Sequence, residues 1–332
     1  MGAFGHPFYR EQLLDRRRRL ETAVSAAPEP DHRLRRLLGE VDSALERIEA
    51  GTFGLCDACH DPIEPERLMA DPLVRVCLDH LTDSERRELE RDLELAARIQ
   101  NGLLPKNDLR SGEWELNYHY EAAGPVSGDY CDVLTPDGQS GLLFLVGDVS
   151  GKGVAASLLM SQLHAIVRTL AGTGAPLPQV MEQANRVFCE NTPSSHYATL
   201  VCGTALESGE MEIANAGHCR PLVVRPGNTQ MLEPAGLPIG LFCNSEYPTQ
   251  RVQVEPGEAL LLHTDGLVEA RNTAGVEYGA DRLSALAAGR CPRSARELTA
   301  AVVADVRSFA RGMPRQDDLT VVTIRRQEQH AP

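Results

Sequence analysis

Four acidic positions share one local setting: each lies at the end of an apolar segment, beside a glycine or a second aspartate. Asp129 lies in SGDYCDV, Asp148 in VGDVSG and Asp265 in HTDGLVEA, and Asp317 begins DDLTVVTI. A single residue of this kind is an ordinary turn residue, and four independent turns are one interpretation of the set. If the four converge, their carboxylates repel one another unless a cation neutralises them.

The chemistry of such a group is that of hard divalent cations. These ions prefer carboxylate oxygens, backbone carbonyls and water, and the neighbouring glycines let the backbone turn a carbonyl toward a metal. The sequence therefore indicates a two-metal carboxylate site for Mg2+ or Mn2+. Paired ions lower the pKa of a bridging water and suit phosphoester hydrolysis by in-line attack.

A second set of metal-ligating residues lies nearer the N-terminus. Cys56 and Cys59 are separated by 17 residues from Cys77 and His80, which is typical of two zinc knuckles. We expect these four side chains to bind one structural zinc ion; free thiols beside an incidental histidine are the alternative. His60 is also close in sequence, but His80 fits the fourth position by spacing.

Hydrophobic periodicity predicts the elements that position these residues. Residues 8–25 and 31–50 repeat apolar side chains at helical spacing. Pro28 and Pro30 separate them, which predicts a helical hairpin over residues 1–52.

A connector helix is predicted after the zinc segment, residues 53–81. Thr82-Asp83-Ser84-Glu85 is a capping box and Pro105 ends the helix, so we assign residues 82–106 to it. Apolar residues recur at steps of four and three, which is typical of a coiled-coil seam or of a face docked on a neighbouring domain. The seam contains Leu89, Leu93, Ala96, Gln100 and Leu103.

The C-terminal region, residues 107–326, combines many strand-like runs with two pairs of helical runs. This clustering indicates an α+β fold with a largely antiparallel sheet. Residues 327–332 are polar and predict a frayed tail. The predicted strands cover 114–120, 128–134, 142–146, 199–206, 210–215, 221–225, 258–263 and 319–324, and the predicted helices 153–171, 177–191, 280–288 and 294–311.

Composition limits the class of protein. With 42% hydrophobic and 24% charged residues, the 332-residue chain is typical of globular proteins and long enough for two domains. A net charge of −14 argues against nucleic acid as a partner, and we interpret the basic run 16–19 as a solvated helix face. No membrane span or signal peptide is visible. The nine cysteines are too scattered for a secreted disulfide framework, so we expect a cytoplasmic protein in which the scattered cysteines are small buried residues.

The acidic motifs occur in an order that resembles a known family. Gly128-Asp-Tyr, Asp148-Val-Ser-Gly-Lys-Gly153, Asn215-Ala-Gly-His218, Thr264-Asp-Gly266 and Asp317-Asp-Leu-Thr320 are similar to motifs of the Mg/Mn-dependent (PPM-type) protein serine/threonine phosphatases. The resemblance is closer to the branch typified by stage II sporulation protein E and RsbU, and it covers residues 95–325. It implies a PPM-type fold, in which an antiparallel β-sandwich is flanked by helix pairs.

The resemblance also implies roles for individual residues. Hydrolysis of phosphoserine or phosphothreonine would proceed by direct attack of a two-metal-activated water, without a phosphoenzyme. Asp318 would position Asp317 or a water, or bind a further ion. In the implied metal site Asp148 bridges two Mn2+ or Mg2+ ions, Asp265 and Asp317 hold the first, and Asp129 and the carbonyl of Val149 serve the second.

Several polar residues near these motifs have no firm role. Ser150 stands where eukaryotic relatives carry a histidine that is a proposed general acid, so no general acid is assigned. Lys152 either offsets phosphate charge or is simply exposed. His218 is interpreted as a hydrogen-bonding turn residue and His263 as a packed residue of an apolar strand.

Residues 93–106, LELAARIQNGLLPK, resemble the regulatory helix before the catalytic domain in the RsbU-like branch. There, the packing of the helix switches the order of the metal site. Together with the seam, the resemblance predicts a homodimer contact or a domain contact through this helix. The regulatory residues would be Leu95, Ile99, Gln100, Leu103 and Leu104.

Residues 45–81 resemble the DksA/TraR zinc-finger family through the run GTFGLCDAC and the later ERLMADP. His80 replaces the usual last cysteine, and zinc can still bind through three cysteines and one histidine. A preceding helical hairpin is also expected of that family. Its members act on RNA polymerase through a hairpin tip, but the tip is short in this sequence, so polymerase binding is not carried over.

We therefore expect a metal-dependent phosphoprotein phosphatase whose zinc module senses or docks. The substrate would be a regulatory phosphoprotein, with an anti-sigma-factor antagonist as the leading candidate. The alternatives are an RNA-polymerase-binding regulator and a redox sensor that releases zinc on oxidation, each with the phosphatase domain as a scaffold. The complete set of acids argues against a degenerate domain.

Overall fold

The computed structural model describes residues 6–26, 32–135, 141–193, 195–233, 236–290 and 293–328. The predicted proline loop at 27–31 and the last four residues of the predicted tail lie outside these ranges. The chain divides into two compact units, Met1–Asp92 and Leu93–Pro332. Each is described by itself below.

The first unit is a pair of helices packed on a short irregular segment. Helices α1 (His6–Ala26) and α2 (His32–Glu49) contact each other, and the segment after them contains α3 (Pro65–Ala70) and a single 3-10 turn, Leu78–His80. The apolar stripes of both helices and the apolar residues of the segment form one core. It includes Leu13, Val41, Ala44, Phe53, Ile63 and Leu68.

The basic run of α1 is paired within this unit. Each of its four arginines lies within 4 Å of a carboxylate, at distances between 2.7 and 3.7 Å. These contacts are exposed, so they contribute little stability, but they neutralise the run as expected for a solvated helix face. The pairs are Arg16–Asp71, Arg17–Asp42, Arg18–Asp15 and Arg19–Asp15.

Helix α4 (Asp83–Asn101) begins with the predicted capping box. Thr82 Oγ1 accepts a hydrogen bond from the Glu85 amide at 3.2 Å, and Glu85 Oε2 accepts one from the Thr82 amide at 2.9 Å. The predicted end of the helix is wrong. The helix stops at Asn101. The amides of Leu103 and Leu104 bond three residues back instead of four, so the chain tightens into a turn before Pro105 is reached.

The second unit contains two antiparallel sheets and five further helices among the described residues. In chain order the elements are β1 (Leu109–Ser111), β2 (Trp114–Glu121), β3 (Asp129–Leu134), β4 (Leu142–Val149), α5 (Gly153–Ala171), α6 (Leu177–Asn191), β5 (Ala198–Ala205), β6 (Glu210–Ala216), β7 (Leu222–Arg225), β8 (Asn228–Met231), β9 (Thr249–Gln253), β10 (Ala259–His263), α7 (Asp265–Val268), α8 (Ala280–Ala288), α9 (Ala295–Phe309) and β11 (Leu319–Arg326).

The two sheets pack face to face with a helix pair on each outer surface. The first sheet has the order β1-β2-β11-β10-β7-β8 and the second the order β3-β4-β5-β6-β9. The core between them includes Trp114, Phe144, Val201, Leu260 and Ile324. Helices α5 and α6 cover the second sheet, and α8 and α9 cover the first. The prediction of an antiparallel β-sandwich flanked by helix pairs is confirmed.

The central strands are continuous apolar runs in the sequence because both faces of each strand are buried. In β4, residues Leu142–Val146 are all buried, since alternate side chains point into the sandwich core and into the helix layer. The sequence did not predict β1, β8 and β9. All three lie at sheet edges, where outward-facing residues are polar and leave no apolar pattern.

Among the described residues, α5 is the one helix whose length and composition would suit a membrane span. Its apolar residues Met160, Leu163 and Val167 belong to the core formed with α6 and the second sheet. That packing accounts for its apolar character.

Cys189, near the end of α6, forms a disulfide with Cys243 in the loop between β8 and β9. The interpretation of the scattered cysteines as separate buried residues is therefore wrong for these two. It holds for Cys131 and Cys202, which are free and buried, but not for Cys219, which is free and half-buried. Cys291 lies outside the described residues. Two cysteines 54 residues apart give no sequence signal of being neighbours.

Gln100 fixes the end of α4 within the second unit. Its side chain is 5% exposed, donates to the Ser127 carbonyl at 2.6 Å and accepts from the Ser127 amide at 3.0 Å. By contrast, Leu95 and Ile99 are 49% and 61% exposed. The contact between α4 and the Ser127 segment therefore depends on this buried glutamine and its two hydrogen bonds.

We expect Gln100→Ala to lower the free energy of unfolding by about 1–3 kcal/mol, because both main-chain groups of Ser127 lose their partner. Denaturant unfolding followed by the fluorescence of Trp114, the only tryptophan, measures this in the second unit. The matched control is Ile99→Ala, which should change stability by less than about 0.5 kcal/mol. Equal effects of the two substitutions would contradict the assignment.

Candidate metal centre

The pairing of β3 with β4 places two of the predicted acids side by side. Asp129 and Asp148 are direct partners in the antiparallel register, and directly opposed like charges destabilise a sheet. Asp129 is 1% exposed, whereas Asp148 is partly exposed. The pair is favourable only if a proton or a cation reduces its negative charge.

Asp129 is held by groups from the other sheet. Its Oδ2 accepts hydrogen bonds from Thr264 Oγ1 and Thr320 Oγ1, both at 2.7 Å, and its amide donates to Ser127 Oγ at 3.0 Å. Thr264 follows β10 and Thr320 lies in β11, so the carboxylate links the two sheets. Both of these bonds are made by Oδ2, and they fix the orientation of the carboxylate.

Asp265 and Asp317 come to the same end of the sandwich because β10 and β11 are antiparallel neighbours. Asp265 begins α7 directly after β10, and Asp317 lies two residues before β11. Asp317 Oδ1 accepts from the Asp318 amide at 3.0 Å, and its Oδ2 lies 2.9 Å from Lys152 Nζ. The four predicted metal acids therefore meet at one edge.

Two glycines allow the backbones to approach closely at this edge. A Cβ at Gly266 would lie 1.9 Å from the Asp318 carbonyl oxygen. A Cβ at Gly128 would lie 2.9 Å from the Val149 carbonyl oxygen and 3.1 Å from Asp148 Oδ1. Any side chain at either position would push the acids apart, which explains why glycine adjoins Asp129 and Asp265 in the sequence.

Burial and mutual repulsion dominate the electrostatics of the group. Burial, and then the charges of Asp265, Asp317 and Asp318, raise the pKa of Asp148 to about 7. Burial and Asp148 raise the pKa of Asp129 well above its usual value, and burial and Asp317 raise that of Asp265. The site therefore disfavours its own negative charge.

A hard divalent cation relieves this penalty. The donor set consists of carboxylate oxygens with a backbone carbonyl nearby, which fits Mg2+ or Mn2+ and not a soft metal. Among the described residues no three of these acids bring their ligand atoms within 4.8 Å of one another.

Two residues next to the acids, Asp318 and Lys152, make contacts that bear on their alternative roles. Asp318 Oδ1 accepts from the Ala123 amide at 2.7 Å and Oδ2 from the Gly128 amide at 2.9 Å, which favours a positioning role over ligation of a further ion. Lys152 Nζ contacts Asp317 and donates to the Gln316 carbonyl at 2.6 Å. The Lys152 side chain is 62% exposed, so this residue is exposed and also contacts the acid group.

The two histidines near the site are structural. Asn215 accepts from the His218 amide at 2.8 Å and donates to its carbonyl at 3.2 Å, which closes the turn. Burial, and then the neighbouring His263, lower the pKa of His218 to about 3, so it is neutral near pH 7 and carries no acidic proton for a leaving group. Burial also lowers the pKa of His263.

Sequence reasoning missed the hydroxyl groups that hold the acids. Thr264 and Thr320 lie inside the TDG and DDLT motifs, yet nothing in their sequence position shows that both contact Asp129. Thr199 is a further example, since its Oγ1 lies 2.8 Å from His218 Nδ1 and 3.4 Å from the Asp148 carbonyl oxygen. Only the pairing of strands that are distant in sequence brings these groups together.

The predicted zinc ligands form a compact cluster in the first unit. The ligand atoms of Cys56, Cys59, Cys77 and His80 all lie within 4.8 Å of one another. Cys59 Sγ lies 3.8 Å from Cys77 Sγ, and tetrahedral zinc with bonds of about 2.3 Å requires an S–S separation of about 3.8 Å. Thiolate and imidazole ligands fit Zn2+. His60 is not part of the cluster; it is exposed at a positive φ of 64°.

Comparisons with known proteins agree with this architecture. A sequence model of the family described as Stage II sporulation protein E (SpoIIE) matches residues 138–327, and one described as the prokaryotic DksA/TraR C4-type zinc finger matches residues 51–86. The second unit is thus a domain of the PPM-type phosphatase class. The chain belongs to the SpoIIE family and carries a DksA/TraR-type zinc finger.

Individual relatives cover the chain to different extents. Protein IcfG of Synechocystis sp. is 26% identical over 221 residues, which is 58% of this chain and 35% of IcfG. Phosphoserine phosphatase RsbU of Bacillus subtilis is 26% identical over 248 residues, which is 72% of this chain and 71% of RsbU. The crystal structure of the RsbU and RsbW domains of Rv1364c from Mycobacterium tuberculosis superposes with a TM-score of 0.58 at 28% identity, covering 67% of this chain and 62% of that one.

We expect the protein freed of Mn2+ and Mg2+ to lose stability as the pH rises from about 5 to 8. Because the folded-state pKa of Asp148 is raised to about 7, the native state binds more protons than the unfolded state between its ordinary pKa and that value, so stability falls across this range. Asp148→Asn should stabilise the metal-free protein at pH 8 by on the order of 2 kcal/mol and weaken the pH dependence.

Thermal unfolding followed by Trp114 fluorescence, with and without Mn2+, measures this effect. Mn2+ should raise the wild-type midpoint at pH 8 and should raise that of Asp148→Asn much less. The matched control, Asp281→Asn, removes an exposed carboxylate on α8 and should behave as the wild type. A metal-free wild type that becomes more stable with rising pH would contradict the electrostatic account.

For the zinc cluster, we expect His80→Ala to reduce bound zinc from about one ion per chain to near zero, because the tetrahedral site loses a ligand. His60→Ala should retain the ion, since His60 lies outside the cluster. Elemental analysis of the purified variants gives the zinc content. Loss of zinc from His60→Ala alone would show that the fourth ligand is assigned wrongly.

Proposed function

We propose that this protein is a metal-dependent protein phosphatase that hydrolyses phosphoserine or phosphothreonine. The observation that carries the proposal is the convergence of Asp129, Asp148, Asp265 and Asp317 at one end of a sandwich of the SpoIIE family. Burial and repulsion raise the pKa of three of these acids, so the site is built for divalent cations.

The proposed roles follow from the contacts of each residue. Two bound Mn2+ or Mg2+ ions would lower the pKa of water and offset the charge of a phosphate. Asp148 would hold both ions, because its carboxylate lies among those of the other acids. Asp129 is oriented by two threonine hydroxyls, and Lys152 sets the orientation of Asp317. The Val149 carbonyl at Gly128 supplies a further oxygen, and Asp318 fixes the loop at Ala123 and Gly128.

The substrate class is a regulatory phosphoprotein. The name of the relative RsbU, phosphoserine phosphatase, supports phosphoserine chemistry, and by family resemblance an anti-sigma-factor antagonist is the leading candidate. The zinc module would dock a partner or transmit a signal, with a homodimer contact through the connector helix and a cytoplasmic site of action. The complete acid set gives no support to a scaffold role for the phosphatase domain.

The test is Mn2+-dependent hydrolysis of an aryl phosphate and of a phosphoserine protein. Asp148→Asn should lower kcat/KM by at least about 1000-fold, because the acid between the two ions loses its charge. Asp281→Asn has the same change of charge on an exposed helix and should stay within about twofold of the wild type. Thermal unfolding confirms that both variants are folded.

Two outcomes would overturn the proposal. One is a wild-type protein that is folded and loaded with Mn2+ but inert on both substrates. The other is an Asp148→Asn variant that keeps its activity.

A further inference from the structure

A cationic pocket lies beside the metal centre in a chain whose net charge is −14. Its volume is about 500 Å3, and its walls come from α7, the C-terminal end of α9 and the loop before β11. It borders the metal centre, because Lys152, Gly266 and Asp317 line both. The basic side chains that line it are Lys152, Arg271, Arg307, Arg311 and Arg315.

Only two acidic side chains, Glu269 and Asp317, line the same pocket. Asp317 contacts Lys152 and is a predicted metal ligand. Five basic groups and two acidic ones line the pocket, and two carboxylates outside the lining, Glu121 and Glu277, pair with its arginines and reduce the positive excess to one charge. A local field of this sign attracts anionic ligands.

Four of the five basic groups have a carboxylate partner, although Arg307 and Arg315 share one. Arg307 and Arg315 each lie 2.7 Å from a carboxylate oxygen of Glu121, and Arg271 lies 2.7 Å from Glu277. Arg311 is exposed and has no salt bridge within the part of the chain that the structure describes. Arg311 therefore presents an uncompensated guanidinium to the pocket.

We propose that this pocket binds an acidic side chain of the substrate protein, within a few residues of the phosphoserine, and that Arg311 is the residue that selects it. The inference rests on the proposed function. A phosphoserine at the metal centre leaves its neighbouring residues beside the pocket, since an extended chain advances only about 3.3 Å per residue. A guanidinium matches a carboxylate by two parallel hydrogen bonds.

The proposal can be tested with a set of phosphoserine peptides. Each peptide carries one glutamate at a different position flanking the phosphoserine. The reference peptide carries glutamine at all of these positions. We expect the glutamate peptide at one or two positions to have a kcat/KM about fivefold above the reference, as for a partly exposed ion pair. Raising the ionic strength to about 0.5 M should reduce this ratio, because salt screens exposed charges.

Arg311→Gln should bring the ratio close to one. The ratio compares two peptides on the same enzyme, so general damage to the variant cancels. Arg311→Lys should keep part of the preference, since it retains the charge but not the paired donors. The matched control is Arg251→Gln, which removes an equal charge from β9, where the side chain is 69% exposed and lies outside the pocket; it should keep the wild-type ratio.

Three results would overturn the inference while leaving the proposed function intact. They are hydrolysis with no preference for any glutamate position, an unchanged ratio in Arg311→Gln, and an equal loss in Arg251→Gln, which would show a general effect of net charge. If the folded, Mn2+-loaded wild type hydrolyses neither these peptides nor an aryl phosphate, the proposed function fails and the pocket assignment fails with it.

Discussion

The repulsion between carboxylates at one end of the sandwich is the constraint on which the second unit depends. Strand pairing opposes Asp129 and Asp148, and the neighbouring ends of β10 and β11 add Asp265 and Asp317. The arrangement of the backbone does not by itself make this group of acids favourable, because burial raises the free-energy cost of every charged carboxylate. The fold can tolerate the cost of burying these carboxylates because their oxygens interact strongly with divalent cations when such ions bind.

The residues around the acids limit how far they can relax apart. Thr264 and Thr320 tie Asp129 to the first sheet, and Asp318 ties the loop at Ala123 and Gly128 to the start of β11. That loop also contains Ser127, whose amide and carbonyl bond to Gln100 of α4. A change in the position of α4 would therefore act on a segment that positions two of the acids. This contact supports the predicted regulatory role of the helix, which stays a prediction.

The sequence predicted the parts of this structure that have local signatures. Continuous apolar runs marked the doubly covered strands, helical periodicity marked α5, α6, α8 and α9, and the motif order led to the sandwich. The edge strands β1, β8 and β9 were missed, because half of their side chains face solvent. The end of α4 was placed too late, because the apolar pattern continues through Leu103 and Leu104 after the helix has ended at Asn101.

The metal acids could be predicted from short stretches of sequence, whereas the residues that hold them in place could not. An aspartate beside a glycine at the end of a strand is visible in one short stretch of sequence, as are two knuckles of zinc ligands. The contacts of Thr320 with Asp129 and of Asp318 with Gly128 join residues about 190 positions apart. They depend on the register of two different sheets, which no local pattern contains.

Two of the arginines near the metal centre are held in place by one carboxylate, that of Glu121. Arg315, and then Arg307 and His119, lower the pKa of Glu121 to about 2, so this carboxylate stays ionised throughout the physiological range. It fixes two guanidinium groups in the wall of the pocket and cancels much of their charge. The remaining selectivity for an anion then rests on Arg311. A guanidinium without a carboxylate partner keeps its full charge for a ligand. Its interaction with an anionic ligand is strongest when that ligand excludes water from the pocket.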